Sequence, residues 1–295
     1  MAVRRRHRPA PAVSGEQGTT GPRRARSWRA AVSTFTILPV RRPADIGPAA
    51  GRLLLLWLPA IGLMLGGVAA AASVLVELGG DSAARRLLGA LIAVALLALL
   101  TGGLHLDGLA DAADGLASRR PRQQALEIMR KSDVGPMGVA ALVLVVGVQV
   151  TALASLPSGW QDEAALVLAV ITGRVAVVRA SAQPAARPEG FGALVAGSTS
   201  RRDRSAVTAL LVIAVGLAAA LAAITGTADD HGMSAAAAGS WLAARGLAAV
   251  LAGLLAAAWL RHAARRRLGG MTGDVFGAQI ELTTAVTLLA LALIL

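Results

Sequence analysis

Cysteine and tyrosine are absent from this chain of 295 residues, and phenylalanine occurs only three times. Without cysteine there is no disulfide framework, no thiolate nucleophile and no zinc site built on sulfur. Three Phe and five Trp are too few for a platform that stacks single-stranded nucleic acid, although a net charge of +12 would suit such a partner. The four histidines (His7, His105, His231 and His262) are scattered and do not read as a metal centre. What the chain has in excess is apolar length: 55% of its residues are hydrophobic, and its mean hydropathy is +0.63. Several apolar runs approach the roughly 20 residues that cross a bilayer core, without the polar face of a soluble helix. The composition therefore predicts an all-α, polytopic integral membrane protein.

Residues 1–27 are rich in Arg, Pro, Gly, Ser and Thr and lack apolar periodicity, so they read as a disordered cytoplasmic tail. No apolar core follows closely enough for a signal peptide. Residues 28–295 read as one transmembrane catalytic domain. The stretch 28–40 is too short to span and suggests an interfacial or re-entrant helix ending near Pro39. About seven spans are expected near 53–78, 87–106, 134–156, 163–183, 206–226, 240–260 and 276–295. Over the alternate connections, 24 of the 29 Lys and Arg fall on one side and two on the other. By the positive-inside rule the N-terminus and the polar, Gly-rich connections face the cytoplasm. A transporter would need ionisable or polar groups at matched midplane positions in two repeats. Gln149 and Arg174 are the chief midplane candidates here and no repeat is seen, which favours an enzyme at the cytoplasmic surface.

The densest polar motif is Gly102-Gly103-Leu104-His105-Leu106-Asp107-Gly108-Leu109-Ala110-Asp111-Ala112-Ala113-Asp114-Gly115. On a helix, steps of four and three residues turn through about 400° and 300°, so the three aspartates share one narrow face. Like charges so placed repel unless a cation holds them, and an oxygen-only set suits Mg²⁺. Asp107, Asp111 and Asp114 are therefore candidate metal ligands. The other reading is a solvated acidic end of the preceding span, but there the helix dipole opposes carboxylates.

Three further stretches carry candidates. Arg130 and Lys131 suit phosphate, or simply follow the positive-inside rule on a cytoplasmic helix. In Arg187-Pro188-Glu189-Gly190-Phe191-Gly192, the arginine with Gly190 and Gly192 suits a phosphate-cradling loop, though a plain connector looks similar. Arg174, inside a span, faces an anion or pairs with a carboxylate such as Glu281. Before the last span, Asp274 is a helix cap or a further metal ligand, and Thr272 a candidate contact to phosphate or substrate. Glu281 lies two turns beyond Asp274 on the same face, roughly 10 Å deeper, and is a functional candidate there.

The motif at 102–115, followed by Glu127-Ile128-Met129-Arg130-Lys131-Ser132-Asp133-Val134-Gly135-Pro136-Met137-Gly138, resembles the cobalamin synthase (adenosylcobinamide-GDP ribazoletransferase) family. Phe35-Thr36-Ile37-Leu38-Pro39-Val40, Gly173-Arg174, Arg187 to Ala193, and Gly270-Met271-Thr272-Gly273-Asp274-Val275-Phe276-Gly277-Ala278 extend the match in order over residues 30–290. The chain departs from the pattern at Ile37 and Ser132, which leaves a phosphate contact to Arg130 or Lys131.

The resemblance implies a multi-pass cell-membrane enzyme working at the cytoplasmic face. It implies that adenosylcobinamide-GDP and α-ribazole, or its 5′-phosphate, combine to give adenosylcobalamin, or its 5′-phosphate, with release of GMP. Mg²⁺ is the implied cofactor, held by Asp107, Asp111 and Asp114 with Asp274 as a fourth ligand or base. Asp107, Asp111 and Asp274 are the expected catalytic set. Arg130, Lys131, Arg174 and Arg187 would meet the diphosphate or GMP, with Gly190, Gly192, Thr272 and Glu281 completing substrate binding. Homo-oligomers and association with other cobalamin-assembly enzymes are both open. A CDP-alcohol phosphotransferase is the nearest rival, but its acidic residues are more widely spaced and accompanied by an arginine that this motif lacks.

Overall fold

A computed structural model describes residues 23–41, 50–80, 82–157, 160–225 and 234–294. Eleven helices are formed among them: α1 (Arg23–Phe35), α2 (Ala50–Glu77), α3 (Ala83–Leu100), α4 (Leu104–Ala117), α5 (Arg122–Ile128), α6 (Pro136–Ser155), α7 (Trp160–Ala180), α8 (Phe191–Val195), α9 (Arg201–Ile224), α10 (Ala235–Leu268) and α11 (Gly273–Leu293). No strand is formed among the described residues; a lone parallel bridge joins Ala185 to Met271. The protein is all-α, as composition predicts.

Six helices (α2, α3, α6, α9, α10 and α11) are long and apolar enough to cross a membrane. The seventh expected span, α7, is not among them, because Glu163, Arg174 and Arg179 load its 21 residues with charge. Its placement explains how that charge is tolerated. The helix packs along both α2 and α11, and residues 172–178 are buried without a break. A helix surrounded by protein rather than lipid tolerates ionisable groups that a lipid-facing one does not.

The bundle is built around α11. It contacts α4, α6, α7 and α10, and 67% of its most apolar stretch is buried. Thr284 and Thr287 return their hydroxyls to the carbonyls of Ile280 and Thr283 at 2.8 Å each, so neither is left unpaired inside the bundle. Arg245 of α10 donates through Nε and Nη2 to the Leu291 carbonyl at 3.2 and 2.7 Å, satisfying the far end of α11. The near end of α11 carries the site. There α10, at 34 residues longer than a bilayer is thick, finishes in Arg265, Arg266 and Arg267.

Two sequence expectations need correction. Helix α1 begins at Arg23, inside the stretch read as a tail; residues 1–22 lie outside the described residues. It packs on α2, with Trp57 Nε1 donating to Ser27 Oγ at 3.0 Å. The aspartate motif, second, is not the trailing end of a span. The chain breaks after α3, where Gly102 and Gly103 adopt φ of 61° and 72°, a left-handed conformation that favours glycine, and a separate 14-residue helix starts. Asp107 thus falls in the first turn of α4, where the helix dipole favours a carboxylate.

Candidate active site

Two helices meet with almost no side chain between them. A Cβ built on Gly108 of α4 would lie 2.7 Å from the Asp274 carbonyl oxygen, and one on Gly277 of α11 would lie 3.2 Å from the His105 backbone. Successive residues of α4 thus meet earlier residues of α11, so the two run antiparallel. The crossing brings Asp107 and Asp111 beside Asp274. Burial, then the charges of Asp107, Asp274 and Asp114, push the Asp111 carboxyl up to about 6, with Arg187 pulling the other way.

Asp114 has a different task from its two neighbours. Its carboxylate accepts from the backbone N–H of Gly135 at 2.7 Å and of Gly138 at 2.9 Å, fastening the start of α6 to α4. The structure thus spends the two oxygens of Asp114 on N–H groups that no helical carbonyl reaches. The spacing that put all three aspartates on one face is correct, but the third is turned to an anchor.

The loop before α8 is tied to the loop before α11. Ala186 N–H donates to the Met271 carbonyl at 2.9 Å, and Met271 N–H to the Pro184 carbonyl at 2.8 Å. This brings Arg187 to Asp274, with Nη1 3.5 Å from Oδ2, while its Nη2 donates to the Leu126 carbonyl at 2.9 Å. The Nε of Arg187 is buried and makes no hydrogen bond. Thr272, not Asp274, is the helix cap: its Oγ1 accepts from Val275 N–H and donates to Asp274 Oδ2, both at 3.2 Å. Thr272 is buried and so engaged, which makes it a positioner of Asp274. Gly190 has φ of 87°, which lets the chain turn, and a Cβ on Gly192 would meet the Met271 carbonyl oxygen at 2.6 Å, so Gly192 lets its backbone lie against the segment that leads into α11.

These elements enclose a cavity of about 370 Å³. Asp107, Arg187, Glu189, Gly190, Gly192, Thr272 and Asp274 line it, with Phe35, Phe191 and Phe276 among its apolar residues; Asp111 does not line it. Arg174 and Glu281 lie elsewhere. They share a smaller polar recess with His105 and Gln149 inside the bundle, where Gln149 Nε2 donates to Glu281 Oε2 at 2.8 Å. Arg174 donates to the Val170 carbonyl at 3.3 Å. His105 borders both the recess and the cavity, and Glu281 Oε1 is 3.8 Å from its Nδ1. Arg130 and Lys131 are exposed beyond α5 and line neither space. Of the residues absent from the expected set, His105 had one signal, its place two positions before Asp107; Glu189 had its place inside the arginine–glycine loop.

Among the described residues no three His, Cys, Asp or Glu side chains converge as a finished metal cage. Asp107 and Asp274 nevertheless act electrostatically on Asp111, as does Arg187 with the opposite sign, and burial together with the acidic charges raises the Asp111 carboxyl. Such a set fits Mg²⁺, which takes one or two carboxylates and fills its remaining positions with water and phosphate oxygen.

The family model for cobalamin-5-phosphate synthase matches residues 27–292. A protein of Frankia casuarinae named adenosylcobinamide-GDP ribazoletransferase is 41% identical over 273 residues, covering 90% of this chain and 94% of its own. Proteins with the same name from Stutzerimonas stutzeri and Citrobacter koseri are 36% and 39% identical. The first alignment covers 89% of this chain and 96% of the relative, the second 79% and 85%. No solved structure shows a significant match.

Proposed function

The chain belongs to the cobalamin-5-phosphate synthase family, and on that premise we propose that it joins α-ribazole, or its 5′-phosphate, to adenosylcobinamide-GDP in the cavity between α4, α11 and the 187–192 loop. The observation that carries this assignment to the cavity is the meeting of Asp107, Asp111 and Asp274 with Arg187 across the α4–α11 crossing. In the reaction a ribose hydroxyl attacks the phosphorus that bears the cobinamide. The bond from that phosphorus to the oxygen bridging the diphosphate breaks, and GMP leaves with the bridging oxygen. The product is adenosylcobalamin or its 5′-phosphate.

Asp107 and Asp111, with Asp274 beside them, are the groups that would hold Mg²⁺. Held there, the ion would supply charge neutralisation for the diphosphate and the departing GMP. Arg187 would reinforce this from a fixed position: Nη2 is tied to the Leu126 carbonyl and Nη1 stands 3.5 Å from Asp274 Oδ2 at the cavity. Asp274, steadied by Thr272 and Arg187, orients the ribose hydroxyl and accepts its proton. The crossing of two helices at Gly108 and Gly277 supplies rigidity, because neither backbone can approach or retreat without repacking.

The site end of the bundle faces the cytoplasm of a cell-membrane protein in this reading. Support comes from the charge bias of the connections and from Arg265–Arg267 at the site end of α10. Purified protein in liposomes, given adenosylcobinamide-GDP, α-ribazole and Mg²⁺, is expected to form GMP and cobalamin in equal amounts. No product from folded protein would refute the assignment.

A further inference from the structure

All three phenylalanines of the chain meet at this one cavity. Phe35 ends α1, Phe191 opens α8, and Phe276 lies in the first turn of α11. The rings of Phe35 and Phe191 are 5.5 Å apart at 88°, and those of Phe191 and Phe276 are 5.9 Å apart at 84°. Both pairs are edge-to-face, the arrangement the ring quadrupole favours. Phe35 and Phe276 are buried, at 6% and 3% exposure; Phe191, between them, keeps part of its surface open. Elsewhere the described core is filled mainly with Ala, Leu, Val and Ile, with half-buried Trp57 of α2 also packed against it.

Leu58, Val177 and Ile280 join the rings in lining the cavity, and none of these side chains has a hydrogen-bonding group; Thr34, whose hydroxyl is returned to the Ala30 carbonyl at 2.7 Å, and His105 also line it. A guanine seated against the rings and aliphatic side chains would bury edge donors and acceptors that they cannot partner, at a cost. A dimethylated benzimidazole, the base of α-ribazole, presents carbon around most of its edge and loses little. Asp107, Asp274 and Arg187 line the same cavity, so a ribose attached to that base shares the space with them. At about 370 Å³ the space suits a nucleoside and excludes a corrinoid.

We propose that Phe191, backed by Phe35 and Phe276, is the seat of the flat base of the incoming α-ribazole, leaving the guanosine diphosphate to Arg187 and the aspartates. This rests on the transfer reaction proposed above. Phe191 lies against the Asp274 helix through Phe276, so seating the base also sets the distance from the ribose hydroxyl to Asp274.

The test uses full-length protein in liposomes, with KM measured separately for each substrate and the dissociation constant for α-ribazole alone measured by equilibrium dialysis. Phe191→Leu is expected to raise both α-ribazole constants roughly tenfold, in line with the loss of a base–aromatic stack. The KM for adenosylcobinamide-GDP is expected to stay within about twofold, since a stack lost from one substrate's seat does not reach the other. Phe191→Tyr, which keeps the ring, is expected to recover most of the loss. A wild type that binds α-ribazole but releases no GMP overturns the transfer reading itself. If the wild type turns over while the α-ribazole constants do not move in Phe191→Leu, the base seat is wrong. It is equally wrong if both KM values rise together, or if Phe191→Tyr is as impaired as Phe191→Leu.

Discussion

Gly108 of α4 lies so close to Asp274 of α11 that a Cβ there would stand 2.7 Å from the Asp274 carbonyl oxygen and 3.0 Å from its Cα. Both obstacles are backbone, so no flexible side chain can yield. Gly108→Ala must separate the helices and move Asp107 and Asp111 away from Asp274. Misplacement on the order of 1 Å costs about 100-fold in rate. The expected result is that loss in kcat with normal membrane insertion, checked by GMP release per mole of inserted protein.

Asp111 and Asp114 are three residues apart and should respond oppositely to loss of charge. Asp114 holds two backbone N–H groups of α6, and a hydrogen bond to a charged group contributes about 2 kcal/mol. Asp114→Ala should therefore lower the thermal unfolding temperature in detergent. Asp111 is raised first by burial and then by its acidic neighbours, so Asp111→Asn should raise that temperature while lowering transfer by about 100-fold or more, the trade-off common at functional sites. Equal destabilisation by the two variants would contradict the division of roles.

The elevated Asp111 carboxyl also sets a pH dependence. A raised pKa means that the group is charged above about pH 6 and takes up a proton below it. A proton and a cation compete for the same oxygens. The Mg²⁺ concentration giving half-maximal activity should be flat from pH 7 to 8. It should then climb below pH 6, by up to about tenfold per unit if one proton is displaced. Asp111→Asn should remove the climb, as measured by Mg²⁺ titrations of GMP release at each pH.

Among the basic residues, position separates one from two. Arg187 lines the cavity and contacts Asp274, whereas Arg130 and Lys131 are exposed beyond it. Arg187→Ala is expected to lower kcat about 100-fold or more, as loss of a preorganised donor does. Arg130→Ala and Lys131→Ala, tested in parallel, are expected to cost less than about threefold, the usual scale for exposed charge.

Much of this was legible because it is periodic or compositional. Spans announce themselves by apolar length, and the step of four from Asp107 to Asp111 places both on one face whatever surrounds them. The glycine pair at 102–103 was visible too, but its effect was not, since only the packed structure shows the helix restarting there and reversing the dipole argument for Asp107. Asp114 misled because its backbone partners, Gly135 and Gly138, lie more than twenty residues away. Arg174 and Glu281 were marked as costly residues, and they are, but the recess that holds them depends on His105 and Gln149 from two other helices. The phenylalanine cluster joins α1, α8 and α11, and no local pattern predicts such a meeting.

The most direct measurement is single-turnover GMP release from adenosylcobinamide-GDP and α-ribazole as Mg²⁺ is titrated into liposomes carrying wild type, Asp107→Asn, Asp111→Asn or Asp274→Asn. Saturable dependence on Mg²⁺ in the wild type, with rates lowered by about 100-fold or more in all three variants, is the predicted result. Full activity in EDTA, or unchanged curves in the three variants, would contradict the assignment of these carboxylates to the reacting diphosphate.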